Sequence, residues 1–434
     1  MKRLQFAEKL MRWKLYPDVF RIPVLLLFCF ILYLILFGDQ AHGANPGLSL
    51  VWILWWALLP LLMVLLGRFW CAICPFGTVG DWLRKIIKND IHPPLFLKRH
   101  GVWFAYGFFI FILSIETLVQ MDGSTSASGI LIFSLFTMAI ISGTFFRNKP
   151  WCRYLCPLGV TGGIFSRLRL IELTSDNSTC KDCKEIACIK GTKNSEGCPM
   201  GLCMKKHDMD ADCISCGRCF KNCPNDSPRI QLRSPMHGFT ANIKLTQAES
   251  YFSSSFIGLS IALFLIKDYL VTINRVFGFE KTLWNEILAI GVMMGLTFSF
   301  FYLFSVVLKP LTRKSQKHNF MFFGFFLAPF VFIFLFNIYS VREVLLNGET
   351  LYIHILKLIG LDFPLPSAQY LLSLKFIHLI QGVLILAGSM ISVLFFYNEL
   401  KKVITKKERK KHIIAFSIFL TIITSYSIYL FLFL

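Results

Sequence analysis

Long apolar runs alternate with short polar ones along most of this chain, and only residues 173–250 break the rhythm. The apolar runs lie near Phe20–Phe37, Leu50–Phe69, Val102–Gln120, Gly129–Phe146, Phe252–Leu270, Leu283–Leu308, Asn319–Tyr339, Tyr370–Phe396 and Ile413–Leu432. Each approaches the roughly 20 residues that a helix needs to cross bilayer hydrocarbon. The pattern predicts an all-α polytopic membrane protein with about nine transmembrane helices. The first run is too long for a signal-peptide core and lacks a small-residue cleavage site after it, so it reads as a permanent helix.

Three parts follow from the pattern. Residues 1–172 form two helical hairpins, residues 173–250 a polar segment too hydrophilic to cross, and residues 251–434 a five-helix membrane domain of unassigned role. The two hairpins each end in the same phrase. It reads Trp70-Cys71-Ala72-Ile73-Cys74-Pro75-Phe76-Gly77 first and Trp151-Cys152-Arg153-Tyr154-Leu155-Cys156-Pro157-Leu158-Gly159 second, each with a further glycine three residues on, Gly80 and Gly162. Both copies reach their cysteines in the same direction, which predicts a duplicated four-helix domain with a pseudo-twofold axis along the membrane normal. Such an axis brings the two thiol pairs together at one boundary, with Trp70 and Trp151 as interfacial anchors.

Composition agrees with a membrane chain, at 55% hydrophobic residues and a mean hydropathy of +0.60. The net charge of +20 would suggest nucleic acid, but its distribution argues otherwise. With the N-terminus inside, most Lys and Arg fall in segments on the cytoplasmic side, which is the positive-inside pattern. It predicts an N-terminus and polar segment in the cytoplasm and an external C-terminus. Lys401-Lys402 and the run Lys406–Lys411 then serve as anchors to membrane lipid, and no nucleic-acid partner is expected. All of the 14 cysteines except Cys29 fall in or beside cytoplasmic segments, where metal ligation is favoured over disulfides. Cys29, alone in the first helix, reads as a small buried hydrophobe.

The polar segment carries the sharpest chemistry. Cys213-x2-Cys216-x2-Cys219-x3-Cys223-Pro224 has the spacing of a bacterial ferredoxin, in which three close thiolates wrap one cubane and the fourth reaches the other. Upstream stand Cys180-x2-Cys183-x4-Cys188 and Cys198-Pro199, with an insertion at about Ile189–Gly197. Crossed ligation assigns one [4Fe–4S] cluster to Cys180, Cys183, Cys188 and Cys223, and a second to Cys213, Cys216, Cys219 and Cys198. Structural zinc is the alternative for four-cysteine sites. Cys203 is spare and is the substitute for Cys198 if the insertion shifts the loop.

The repeated phrase also reads as a metal site, at Cys71, Cys74, Cys152 and Cys156. Proline suits the first turn of a helix, so Cys74 and Cys156 are expected at helix N-termini, where the dipole lowers a thiol's pKa. Arg68, Arg147, Lys149 and Arg153 are expected to act in the same sense. Such thiolates suit Cu(I) or a further iron–sulfur cluster, against the plainer reading of metal-free interface turns. Of the nine histidines, only His378 lies well inside an expected span, so paired-histidine haem lacks a second ligand. Lys375, His378 and Gln381 recur at helical spacing on one face, and intramembrane polar groups of this kind mark cavities or bundle interiors. They form the candidate quinone site, with a packed polar cluster as the alternative.

Two membrane Cys-Pro motifs followed by a double-cluster ferredoxin segment resemble the NapH/NosR/CcoG group of polyferredoxin-like membrane proteins. The resemblance covers about residues 20–235 and rests on Trp70–Gly80, Trp151–Gly162, the ladder Cys180–Cys223 and the sequence Cys198-Pro199-Met200-Gly201. The shorter first motif and the insertion after Cys188 depart from it. The resemblance implies an electron-transfer subunit in the bacterial cytoplasmic membrane rather than a stand-alone enzyme. Its partners would be quinol or a cytoplasmic donor and a membrane or periplasmic reductase. A second reading is copper binding and reduction in support of a copper enzyme, and a third is redox sensing or transport through the five-helix tail.

Overall fold

The computed structural model describes residues 3–41, 44–88, 91–205, 212–239, 248, 250–254, 256–257, 283–307, 309, 315–361, 373–403 and 406–433. Among these, six helices are long and apolar enough to cross a membrane: Asp18–Phe37, Pro46–Leu66, Leu95–Glu116, Thr125–Phe145, Gln316–Leu358 and Lys375–Lys401. Leu283–Val307 and Lys406–Phe433 are further helices at the expected sixth and ninth runs. Most of the expected span Phe252–Leu270, from residue 258 on, lies outside the described residues, as do residues 370–372 of the eighth. The chain is an all-α membrane protein with a small ferredoxin-like segment.

The second span ends at Leu66, before Phe69, because Gly67 turns the backbone into the left-handed region (φ +65°). A side chain there would also strike Arg169 Cδ at 2.7 Å. The seventh run does not stop at Tyr339. Its helix spans 43 residues in all, Gln316–Leu358, through a π-helical stretch, Phe336–Arg342. Arg342, Glu343 and Lys357 interrupt the hydrophobicity but are straight-chain residues that helices tolerate well.

Contacts divide the chain into two compact units. One contains Met1–Gly38, Leu59–Phe109 and Ser126–Ile243, and so holds every cysteine. In its polar segment, strands Ile171–Ser175 and Pro228–Leu232 pair antiparallel with Leu173 opposite Ile230. The insertion folds back as a hairpin, Gly191–Thr192 against Ser195–Glu196. Gly191 (φ +83°) ends the helical turn Ala187–Lys190 and starts the hairpin, and Asn222 Nδ2 donates to Glu196 O at 2.9 Å to hold it. The hairpin closes on itself, so Cys198 N still reaches Cys188 O at 2.9 Å.

The N-terminal helix Gln5–Arg12 also belongs to this unit. Leu4 N donates to Ile230 O at 2.8 Å, and buried Glu8 accepts from Ile230 N at 3.0 Å. Leu4, Ala7 and Met11 pack on the core formed by Leu173, Cys180, Cys213, Phe220 and Ile230. Cys29, expected to be buried, is exposed on its helix; a small apolar side chain suits a surface that faces lipid.

The other unit contains Asp39–Leu58, Ile110–Thr125 and Lys244–Leu434. Phenylalanine dominates its core: Phe323, Phe326, Phe330, Phe334, Phe396, Phe416 and Phe419 are almost wholly buried. Ring pairs such as Phe396–Phe416 at 4.3 Å and Phe304–Phe419 at 4.4 Å hold its helices together. In lipid the hydrophobic effect no longer drives helix pairing, so such contacts carry association.

Candidate functional site

The two Cys-Pro turns meet. Cys74 and Cys156 each cap a short helix that starts on proline, Pro75–Ile87 and Pro157–Phe165. Cys152 lies within electrostatic reach of Cys71 and Cys74, and Cys156 within reach of all three. The neighbourhood follows a reciprocal plan. Arg68 and Lys149 each precede the first cysteine of their own motif by three residues. Arg68 Nη2 crosses to donate to Cys152 O at 2.9 Å, and Lys149 Nζ crosses to donate to Gly77 O at 3.0 Å.

The glycines follow the same plan. A Cβ on Gly80 would approach Gly143 Cα, in the helix before the second motif, to 2.8 Å. One on Gly162 would meet Met63 and Arg68, in the segment before the first, at 3.3 and 3.7 Å. Trp151 is buried against Ala139, Phe76 and Phe108, so it is a packing residue and not the interfacial anchor expected of it. Trp70 likewise packs beside Ala72 and Ile73.

Burial reverses the expected thiol chemistry. Desolvation, and then repulsion from Cys152 and Cys71, pushes the Cys74 thiol up to about 12 despite its helix N-terminus. Burial raises Cys152 to about 11 against the opposing pull of Lys149 and Arg68, and Cys156 also rises. Of the four expected cations, Lys149 and Arg68 act on these thiols. Arg153 instead lies over the Tyr154 ring. Thiols that cannot ionise alone do so when a metal brings positive charge.

The ferredoxin ladder forms two further thiol sets. Cys198, Cys213, Cys216 and Cys219 lie within mutual electrostatic reach. Burial first, and neighbouring thiols next, push Cys198 up to about 12. Ser215 N lies 3.5 Å from Cys213 Sγ as a donor. Arg169, fully buried, lies within electrostatic reach of the Cys213 side chain. The second set opens on a cavity lined by Cys180, Cys183, Cys188, Cys203 and Cys223. There Cys180 Sγ and Ser227 Oγ are 3.1 Å apart, and Ser227 N donates to Cys223 Sγ at 3.4 Å.

The three sets are neighbours inside one unit. Cys216 and Cys198 share a packed core with Cys71, Ala72, Met200 and Ile214. Cys219 is within electrostatic reach of Cys188. A buried ion network bridges the same elements: Asp81 Oδ2 pairs with Lys149 at 2.9 Å, Arg21 at 3.4 Å and Arg218 at 3.8 Å. These cations hold the Asp81 carboxyl well below the usual range even though burial opposes it.

The thiols present fit iron–sulfur clusters. They are grouped in fours or more, buried, supplied with N–H and O–H donors to sulfur, and faced by cations that offset a thiolate-rich anion. Among the described residues no three Cys, His, Asp or Glu converge on one point as a single ion requires; a cubane spreads its thiolates wider than one tetrahedral metal does.

The quinone candidates differ in burial along their shared helix. Lys375 is exposed, His378 half-buried and Gln381 fully buried. Gln381 O instead accepts from Asn337 Nδ2 at 3.0 Å. The histidine that sequence reasoning missed is His354. It is 1% exposed, and its Nδ1 lies 2.7 Å from Ser49 Oγ, a partner 305 residues away. Arg169 was missed too, although Arg167 and Arg169 follow the second motif directly.

A family model described as a 4Fe-4S binding domain matches at residues 48–94 and 129–172, and each match contains one Cys-Pro phrase. An uncharacterized protein of Methanocaldococcus jannaschii is 25% identical over 182 residues, 38% of this chain and 73% of the relative. The putative electron transport protein YccM of Escherichia coli is 26% identical, over 37% of this chain and 50% of its own length. The ferredoxin-type protein NapH of Haemophilus influenzae is 26% identical, over 38% and 63%. This chain thus spans about half to three-quarters of the relatives' lengths. No solved structure matches.

Proposed function

We infer from its similarity to a 4Fe-4S binding domain and to ferredoxin-type membrane proteins that this chain is an iron–sulfur electron-transfer protein of the membrane. Within that frame the three thiol sets form one relay. Cys180, Cys183, Cys188 and Cys223 hold one [4Fe–4S] cluster, and Cys213, Cys216, Cys219 and Cys198 hold the second. Cys71, Cys74, Cys152 and Cys156 hold a third centre, for which iron–sulfur is favoured because the 4Fe-4S family matches enclose both phrases. When bound, the clusters supply one-electron redox chemistry.

The observation that carries this reading is the shared core of Cys71, Cys198 and Cys216. The residues around the sets exclude water, donate to sulfur and place Arg68, Lys149 and Arg169 where a reduced, more negative centre is stabilised. The donor is quinol or a cytoplasmic reductant, and the acceptor a membrane or periplasmic redox partner. The orientation follows the charge bias: N-terminus and thiol-rich segment in the cytoplasm, C-terminus outside, in a bacterial cytoplasmic membrane. Lys375, His378 and Gln381 stay candidates for a quinone head, with Gln381 the buried member.

Anaerobic purification with iron and acid-labile sulfide analysis tests the reading. Iron and sulfide in equal amounts are expected; zinc without sulfide overturns it. Copper handling is the second reading, favoured by four soft thiols beside two cations at the Cys-Pro site. Replacing Cys71, Cys74, Cys152 and Cys156 by Ser is expected to remove one iron–sulfur signal and leave the ladder's signals. Loss of bound copper with unchanged iron would select the second reading.

A further inference from the structure

The cavity beside the ladder holds one thiol more than a cubane has corners. Its lining includes Cys180, Cys183, Cys188, Cys203 and Cys223. Cys198 is not a sixth. It sits in the core with Cys216 and Cys71, and its backbone is tied to Cys188 O. The excess therefore lies within the cavity itself, and its origin is visible in the chain.

A regular ferredoxin run would place its third cysteine three residues after Cys183, where this chain has Ile186. Ile186 lines the cavity in that place, in a left-handed conformation (φ +47°). The nearest thiol in sequence, Cys188, comes two residues late, in the helical turn Ala187–Lys190. From there it lies within electrostatic reach of Cys180 on one side and of Cys219, from the other thiol set, on the other. Cys203 approaches the same place from a different loop, lining the same cavity within electrostatic reach of Cys188. Both are half-buried.

We propose that Cys188 and Cys203 share the third corner of this cubane as exchangeable ligands, with Cys180, Cys183 and Cys223 as its fixed ones. The proposal rests on the reading of the cavity as a cluster site. Cys188 Sγ or Cys203 Sγ would hold the corner, the iron–sulfur bond to one breaking as the bond to the other forms. The Cys203 thiol would give its proton to the departing Cys188 thiolate, both of which line the same cavity. No electron moves, so the step needs no oxidant or reductant. The pair lets this ligand set adjust.

The test uses the full-length protein, purified anaerobically, with alanine replacements because serine can itself bind iron. C188A and C203A are each expected to keep the wild-type iron and sulfide content, with different electron paramagnetic resonance line shapes for the affected cluster. The double variant C188A/C203A is expected to lose one cluster's iron while the signal of the Cys213 set persists and reports a folded chain. Loss of that cluster in either single variant overturns the exchange, since one thiol is then the obligatory ligand. Retention in the double variant overturns it as well. C180A separates the two levels: if it leaves every cluster in place, the cavity is not a cluster site and the reading beneath the proposal fails.

Discussion

The two thiol sets of the ferredoxin ladder differ in how they are closed. The set of Cys213, Cys216, Cys219 and Cys198 shares one packed core with Cys180, touches the Cys71 motif through a second, and has the Arg169 cation within electrostatic reach of Cys213. The set of Cys180, Cys183 and Cys223 faces a cavity with two candidate thiols for the remaining corner and has the neutral Ser227 as its neighbour. Similar spacings thus produce a sealed, cation-backed site and an open, adjustable one. The difference comes from what the rest of the chain brings, since local spacing alone would make them alike. In a relay the sealed site suits the middle position and the open one suits exchange with a partner.

The largest expected effect comes from breaking the network that seals the inner site. Asp81→Asn removes the shared counter-charge of Lys149, Arg21 and Arg218. Leaving buried cations unpaired costs about 3–5 kcal/mol, to be read as a lower thermal unfolding temperature in detergent. The pH dependence has the same origin. A carboxyl held below its usual range contributes its stability fully above roughly pH 4, the ordinary carboxylate value. That contribution fades as the pH falls toward the folded-state value, so wild-type should lose stability below about pH 4 and the variant should show less of that loss.

Next in size is Arg169→Met, which removes the cation at Cys213. A nearby positive charge favours the reduced cluster, so the inner site's potential should fall by about 60 mV, a tenfold change for one electron. A redox titration followed by electron paramagnetic resonance checks this, with the outer signal unmoved. The smallest effect is expected from Ser227→Ala. It deletes one neutral hydroxyl beside Cys180 Sγ and should lower the outer site's potential by a fraction of the Arg169 shift.

Much of this was legible in the sequence because it is local. The cysteine spacings, the Cys-Pro turns and the long apolar runs depend on residues a few positions apart, so pattern alone predicts them. What pattern missed depends on distant partners. The helix Gln5–Arg12 is placed by Glu8 on Ile230, 222 residues away, and His354 by Ser49. Thiol acidity ran the wrong way because desolvation at Cys74 and Cys156 outweighs the helix dipole, and burial is a tertiary property. The face of Lys375, His378 and Gln381 keeps its helical spacing, yet its members range from exposed to fully buried. Periodicity identifies a face and leaves open what covers it.

The central claim is that the inner set joins the other two into one path, and spin coupling tests it most directly. Fully reduced protein should give a broadened, interacting electron paramagnetic resonance spectrum, and C180A should simplify it to the pattern of the remaining centres. Magnetically isolated signals in the wild type, unchanged by C180A, would contradict the account.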